Sequence, residues 1–171
     1  RRLIQTMADP AVEGITQVHW SLMLWRNPET RHTRSILALG FDPDDPFFTD
    51  PDLPAKARLL SQKGRVLFDE RSRPEFGPVA AWFREGRTVE SEIGGNRVRV
   101  AGLVALGTSF GADGNLLTSS ETFLDLMPNT PSGSIELGLI RLLPGADPEQ
   151  VRQRLQALLP EDVRVLTKQG F

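Results

Sequence analysis

The segment from Gly64 to Ser119 constrains the fold of this chain more than any other part of the sequence. It reads in order as a strand, a turn, a short helix, a β-hairpin, a glycine-rich loop and a further strand. The hairpin consists of two runs with apolar residues at every second position, Thr88–Ile93 and Arg97–Leu103. The residues 94–96 between them, Gly-Gly-Asn, permit the positive φ angles that a tight turn requires. The segment carries no set of side chains suited to catalysis, which favours a structural or coupling role.

The N-terminal part of the sequence predicts a short helix followed by two strands. The spacing of apolar residues in Arg1–Met7 is typical of a helix, and Arg34–Phe41 is a strand pattern. In the strand predicted over Ile15–Trp25, one face carries Val18, Trp20, Leu22 and Leu24, and the other carries His19, Ser21 and Met23. We expect the first of these faces to be the buried one, and we expect the two strands to pair as a long hairpin.

The next segment, from Asp42 to Pro54, is rich in proline and aspartate and predicts a surface excursion. Its carboxylates could collect a calcium ion, but Pro43 and Pro46 interrupt the loop, and it has no closing glutamate; a solvated acidic loop is the preferred interpretation. Phe47 and Phe48 lie within this segment. Two adjacent aromatic residues among prolines and aspartates either tuck beneath the loop or contact a partner.

The C-terminal part predicts strand–helix–strand. The strand Ile135–Leu143 is apolar on both faces, which favours a central position in a sheet. Asp147 and Pro148 are typical of a helix N-terminus. The predicted helix then buries one apolar stripe, and a closing strand follows it. The stripe consists of Val151, Leu155, Leu158 and Leu159, and the closing strand begins at Val163 and Val165.

Composition limits the possible functions. The 171 residues contain no cysteine, which excludes disulfides, thiol catalysis and cysteine-based zinc sites. The formal net charge of −2 gives no sign of the basic excess that nucleic-acid binding requires, so no nucleic-acid partner is predicted. The chain begins at Arg1 within a helical pattern, and we therefore expect it to be a fragment of a longer protein.

No catalytic, cofactor-binding or metal site is predicted from the individual residues. His19 and His32 have no acidic partner at ligand spacing, and both are interpreted as surface histidines. The glycines of residues 107–114 lack a phosphate-binding motif and are interpreted as a tight loop. The serines lack the sequence context of a nucleophile. Arg97 and Arg99 alternate with valines, as on a solvated strand face.

Several long blocks of the sequence resemble the extracytoplasmic domain of DevC-type permeases, the membrane subunits of heterocyst-type ABC exporters. The blocks occur in order along the chain at Trp25–Pro43, Val66–Phe83, Val98–Ser119 and Asp162–Phe171. More distantly, the order of elements is similar to the periplasmic domain of MacB-type exporters. In those families a further strand precedes the segment that begins here at Arg1.

The resemblance implies an α+β fold of the MacB-like periplasmic type. Residues 1–28 and 128–171 would form a porter-like α/β subdomain, and residues 29–127 an inserted β-rich subdomain. The implied role is to transmit ATP-driven motion to a periplasmic adaptor, or membrane-fusion, protein and through it to an outer-membrane channel. ATP would be hydrolysed on a separate cytoplasmic subunit, and the permease would be an inner-membrane homodimer with this part in the periplasm. The implied cargo is glycolipid or another hydrophobic or peptidic compound, and no cofactor is implied.

Two other functions remain open from the sequence. A lipid- or peptide-binding periplasmic module is the main alternative, and a hydrolase is a weaker one. As candidate contacts with a partner we take three aromatic residues in polar loops, Phe47, Phe48 and Phe110.

Overall fold

The computed structural model describes residues 2–45, 51–106, 112–129 and 137–167 of the chain. In chain order, the elements within these ranges are α1 (Arg2–Thr6), β1 (Val12–Arg26), β2 (Thr33–Phe41), α2 (Leu53–Ala57), β3 (Arg65–Asp69), α3 (Val79–Arg84), β4 (Glu90–Ile93), β5 (Asn96–Val104), β6 (Asn115–Ser119), α4 (Ser120–Leu126), β7 (Leu137–Leu142) and α5 (Pro148–Leu158). Short 3-10 turns at Arg58–Ser61 and Pro74–Phe76 follow α2 and precede α3.

The described strands form one sheet in the order β2-β6-β3-β5-β4-β1-β7, and β1 also pairs with β2. The β1–β2 hairpin is antiparallel, from Val18 opposite Phe41 to Arg26 opposite Thr33. On its other side β1 meets β4, with Trp25 opposite Ile93. Because β1 pairs with both β2 and β4, the six strands from β2 to β1 close into a ring. The two hairpins predicted from the sequence, β1–β2 and β4–β5, are both confirmed.

The ring has a hydrophobic interior to which every one of its strands contributes. The buried members of this cluster are Met23, Trp25, Ile36, Ala38, Val66, Phe68, Phe76, Val79, Val89, Ile93, Val98, Val100, Leu116, Phe123 and Leu126. The indole Nε1 of Trp25 donates a hydrogen bond of 2.9 Å to the carbonyl oxygen of Phe76, so the polar atom of this buried ring is satisfied.

The predicted orientation of β1 is wrong over its second half. Met23 and Trp25 face the interior, whereas Trp20, Leu22 and Leu24 are 49%, 63% and 55% exposed. Both faces of this strand are apolar, so alternation alone could not identify the inner one. The closure of the ring onto β4 determines the orientation.

Helix α4 begins at a side-chain cap. The Ser119 side chain accepts a hydrogen bond of 3.1 Å from the backbone N–H of Thr122. The helix places Phe123 against Gly40, where an added Cβ would lie 2.6 Å from the Cβ of Phe123. Phe123 also stacks on His19, with ring centroids 5.3 Å apart. His19 is therefore buried, at 7% exposure, and its predicted surface position is wrong because α4 covers it.

The chain divides into two compact units, one formed by Arg1–Thr16 with Gly138–Phe171 and the other by Gln17–Leu137. The six-stranded ring belongs to the second unit. The assignment of residues 1–28 and 128–171 to a porter-like part, and of 29–127 to an insertion, stays a prediction.

The first unit is built around α5. The Asp147 side chain accepts hydrogen bonds from the backbone N–H groups of Glu149 and Gln150, which confirms the predicted N-cap. The helix buries Val151, Leu155 and Leu159 against Val12 and Val165. The exception in the predicted stripe is Leu158, which is 50% exposed.

Two predictions for the C-terminal strands are wrong. Strand β7 occupies the end of the sheet order among the described residues rather than a central position. Residues 163–167 form no strand, and the side chain of Gln156 bonds two of their backbone groups instead. It donates to the carbonyl oxygen of Val163 and accepts from the N–H of Val165, both at 2.9 Å. A helical side chain thus replaces the strand partner that these residues would otherwise need.

In the same unit Asp9 receives hydrogen bonds from Arg154, of 2.8 and 3.0 Å, and one of 2.9 Å from the N–H of Ala11. These bonds, with that from Arg154 the strongest cause, hold the pKa of Asp9 below its ordinary value of 3.8. A carboxyl whose pKa is lower in the folded state stabilises the fold above its unfolded pKa, and this contribution is lost as the pH falls through the folded pKa.

We therefore expect Asp9→Asn to lower the melting temperature at neutral pH, and the difference from wild type to shrink as the pH falls below 3.8. Thermal denaturation followed by circular dichroism over a series of pH values measures this. Asp44→Asn, at an exposed aspartate, is the control. A difference that stayed constant across the series would contradict the assignment.

Candidate functional site

The three aromatic residues predicted to contact a partner, Phe47, Phe48 and Phe110, lie outside the described residues. Their role stays a prediction. The surface described below comes from other residues, which the sequence did not single out as a site.

An apolar row runs along the outward face of β1. Trp20, Leu22 and Leu24 lie at every second position of the strand, so their side chains project to the same side. The row is about 13 Å long, from the strand rise per residue. These three apolar side chains, each about half exposed, form an unbroken row, which makes this strand a candidate contact face.

The row ends at a cluster of arginines and glutamates that lies mainly on β1, β4 and β5 and also includes Arg31, from the turn after β1, and Arg65, from β3. Arg26, the next outward residue of β1, pairs with Glu92 at 2.7 Å, and Arg31 pairs with the same carboxylate at 2.8 Å. On the neighbouring strands Glu92 lies opposite Arg97, and Glu90 opposite Arg99. We call the apolar row together with this cluster the β1–β4–β5 face.

The cluster has an excess of positive charge. Arg99 donates two hydrogen bonds to Glu90, of 3.0 and 2.7 Å, and Arg65 and Arg97 also act electrostatically on this carboxylate. Five arginines (Arg26, Arg31, Arg65, Arg97 and Arg99) therefore surround two glutamates in a chain whose formal net charge is −2.

Both glutamates are held in their charged form. The hydrogen bond from Arg99 lowers the pKa of Glu90 below its ordinary value, and that from Arg31 lowers the pKa of Glu92. The carboxylates therefore remain ionised at neutral and mildly acidic pH, and the two of them do not balance the charge of the five arginines.

Sequence reasoning found part of this face. The alternation of Arg97 and Arg99 with valines correctly predicts an exposed strand face. The apolar row was missed because Trp20, Leu22 and Leu24 were assigned to the interior. A usable signal is that Met23 and Trp25 are also apolar. When a strand is apolar on both faces and the core covers only one of them, the other face stays exposed and available for contact.

A second polar cluster, around Asp69, is buried and serves the fold. Asp69 is fully buried, and its carboxylate accepts hydrogen bonds from the backbone N–H groups of Arg71 and Leu106 and from the Asn115 side chain. The neighbouring Glu70, in the turn that follows β3, is exposed. The cluster fixes the turn after β3 to the ends of β5 and β6.

A cleft of about 290 Å³ lies beside α3, lined by residues that include Phe68, Glu70 and Pro78. It is at the lower limit of ligand pockets, which measure about 300–1,000 Å³. Glu70 is moreover engaged by Arg84. Within the described ranges no three histidine, aspartate or glutamate side chains are grouped so that they could hold a metal ion.

No helix in the described part of the chain combines the length and the hydropathy needed to cross a membrane.

No protein-family model matches the sequence, and no curated protein matches it. Solved structures do match it. The extracellular domain of the ABC-type transporter YknZ from Gram-positive bacteria aligns over 97% of this chain and 87% of its own length, with a TM-score of 0.57 and 13% identity. The periplasmic region of MacB from Actinobacillus actinomycetemcomitans aligns over 92% of this chain and 72% of its own length, with a TM-score of 0.51 and 13% identity. The fold is that of the MacB-like periplasmic domain.

The predicted fold class is thereby confirmed: a mixed α and β domain whose seven-stranded sheet and helices match the MacB-like arrangement. The structurally similar proteins are extracellular or periplasmic domains of ABC-type transporters. At 13% identity the likeness concerns the fold alone, and the narrower resemblance to DevC-type permeases stays a prediction.

Proposed function

We propose that this chain is the extracytoplasmic domain of an ABC exporter permease of the DevC type. It couples the motion driven by a separate ATPase subunit to a periplasmic adaptor protein. The observation that carries the proposal is the alignment with the YknZ extracellular domain over nearly the whole of both chains.

The proposed work is mechanical rather than catalytic. In this proposal the exposed side chains of the β1–β4–β5 face serve contact with a partner, and the hydrophobic interior of the ring holds the domain together. A rigid body of this kind can transmit displacement that originates elsewhere in the protein. In this proposal the parent protein lies in the inner membrane as a homodimer and holds this domain in the periplasm. Its adaptor contacts an outer-membrane channel, and its cargo is a glycolipid or another hydrophobic or peptidic compound.

The alternative of a lipid- or peptide-binding module makes a different prediction. A ligand that binds only the folded state raises the melting temperature by mass action. A clear rise with lipid or peptide cargo, in the absence of any adaptor, would favour this alternative.

The decisive experiment uses the full-length permease, reconstituted in nanodiscs with its ATPase subunit and the adaptor encoded beside it. We expect the adaptor to stimulate ATP hydrolysis by the intact complex. Replacing the segment that corresponds to residues 1–171 with a short flexible linker should abolish the stimulation and leave basal hydrolysis unchanged.

Two results would overturn the proposal. One is adaptor stimulation of equal size with and without this domain. The other is a parent protein whose reading frame encodes no membrane-spanning helices. If the linker variant also loses basal hydrolysis, adaptor stimulation is compared between the wild type and the Trp25→Ala variant instead. That variant leaves the chain length unchanged.

A further inference from the structure

We propose that the β1–β4–β5 face is the docking site for an acidic amphipathic helix of a partner protein. The proposal rests on the proposed function in so far as that function supplies such a partner. It adds the residues that bind and the chemistry that they recognise.

The apolar row determines the length and the apolar pattern of the partner segment that can bind. Trp20, Leu22 and Leu24 form one straight line about 13 Å long. Apolar residues at positions i, i+4 and i+7 of a helix span about 10 Å, so one helix stripe matches the row in length. Laying an amphipathic helix along an apolar surface is a recurrent mode of peptide recognition.

The arginines determine the charge of the helix that can bind this face. Arg97 is exposed and lies next to Glu92, a carboxylate already engaged by Arg26 and Arg31. Arg65 is directed at Gln62, a neutral group. A partner with carboxylates along one border of its apolar stripe would meet this excess of positive charge, which favours both the rate and the specificity of association.

A second copy of this chain does not fit the face. In a symmetric dimer the same patch would meet itself, so neither copy would bring an excess of carboxylates to the arginines of the other. The row is also far smaller than a stable interface, which involves about 20–30 residues on each side.

An anionic membrane fits less well than a protein. Glu90 and Glu92 lie among the arginines and are held ionised, so lipid phosphates would meet carboxylates as well as guanidinium groups. A protein can place its carboxylates opposite the arginines alone.

The test measures binding of two labelled synthetic helices to the isolated chain by fluorescence anisotropy. Both helices have about 18 residues and the same leucine stripe; one is bordered by glutamates, the other by lysines. We expect the acidic helix to bind at least about tenfold more tightly than the basic one, and its affinity to fall as salt is raised.

Variants of the face provide the second comparison. Leu22→Ser and Arg97→Glu should each weaken binding of the acidic helix by about tenfold. Leu158→Ser and Arg71→Glu, at an exposed leucine of α5 and an exposed arginine after β3, are matched controls and should leave it unchanged. All four side chains are accessible, and equal melting temperatures would verify that the variants fold.

The proposal is overturned if neither helix binds, if both bind equally, or if the control variants weaken binding as much as the others do. Binding of the wild-type chain to phosphatidylglycerol vesicles without binding to the acidic helix would assign the face to a membrane instead. Because these measurements require no ATPase, they can fail while adaptor stimulation of the full transporter is still observed, and the reverse also holds.

Discussion

Replacing Trp25 with alanine is expected to reduce the free energy of unfolding by about 3–5 kcal/mol. The indole is fully buried, packs against Phe68 at a centroid distance of 5.4 Å and donates its N–H to the carbonyl oxygen of Phe76. The substitution leaves both a cavity and an unpaired carbonyl in the interior of the ring. Urea denaturation of the purified chain measures the loss.

Trp20→Ala is the matched control for this experiment, because the same residue type is removed from the same strand on its other face. Trp20 is about half exposed, so we expect a loss of about 1 kcal/mol or less. Equal losses would contradict the assignment of Trp25 to the inward face of β1, and a larger loss at Trp20 would mean that the two faces are reversed.

The second large effect is expected at Asp69. Asp69→Ala removes the acceptor for two backbone N–H groups, at 3.1 Å each, and for the Asn115 amide at 2.8 Å. Each buried donor left unpaired costs about 1–3 kcal/mol, so we expect a total loss of at least about 2 kcal/mol. The same denaturation experiment measures it.

Glu70→Ala tests whether the loss of stability in Asp69→Ala comes from the buried position of the carboxylate or from the removal of any carboxylate. Glu70 is adjacent in the chain but exposed, and its ion pair with Arg84 is at the surface. Such a pair contributes about 1 kcal/mol at most. If Asp69→Ala cost no more than Glu70→Ala, the buried cluster would have no special part in stability.

Local signals in the sequence were sufficient for the elements that local physics determines. The residues Gly94 and Gly95 have positive φ angles and join β4 to β5, as their chemistry predicts. Ser119 and Asp147 cap their helices because a short polar side chain can reach the first free N–H groups.

The wrong predictions concern segments whose structure depends on contacts with residues distant in the sequence. Nothing near Trp25 in the sequence indicates that β4 and the Phe76 turn will cover it, and only that covering turns Trp20, Leu22 and Leu24 outward. The missing strand at Val163 has a similar origin, since Gln156 satisfies the backbone from a neighbouring helix.

The candidate contact face was unpredictable for the same reason. Arg26, Arg97 and Arg99 are ordinary surface residues in the sequence, and they become a cluster only because β1 and β5 both flank β4. The parallel pairings of β2 with β6 and of β3 with β5 likewise join segments far apart in the chain, for which no local pattern exists.

The closure of the ring is uneven. Strands β1 and β2 are paired along nine positions, whereas β1 and β4 meet at a single pair, Trp25 with Ile93. The junction between β1 and β4 is thus the shorter of the two, and it is supplemented by a hydrogen bond of 3.2 Å from the N–H of Gly94 to the carbonyl oxygen of Leu24 and by the ion pair of Arg26 with Glu92. A partner that binds across β1 and β4 would stabilise the ring where its closure depends on a single residue pair.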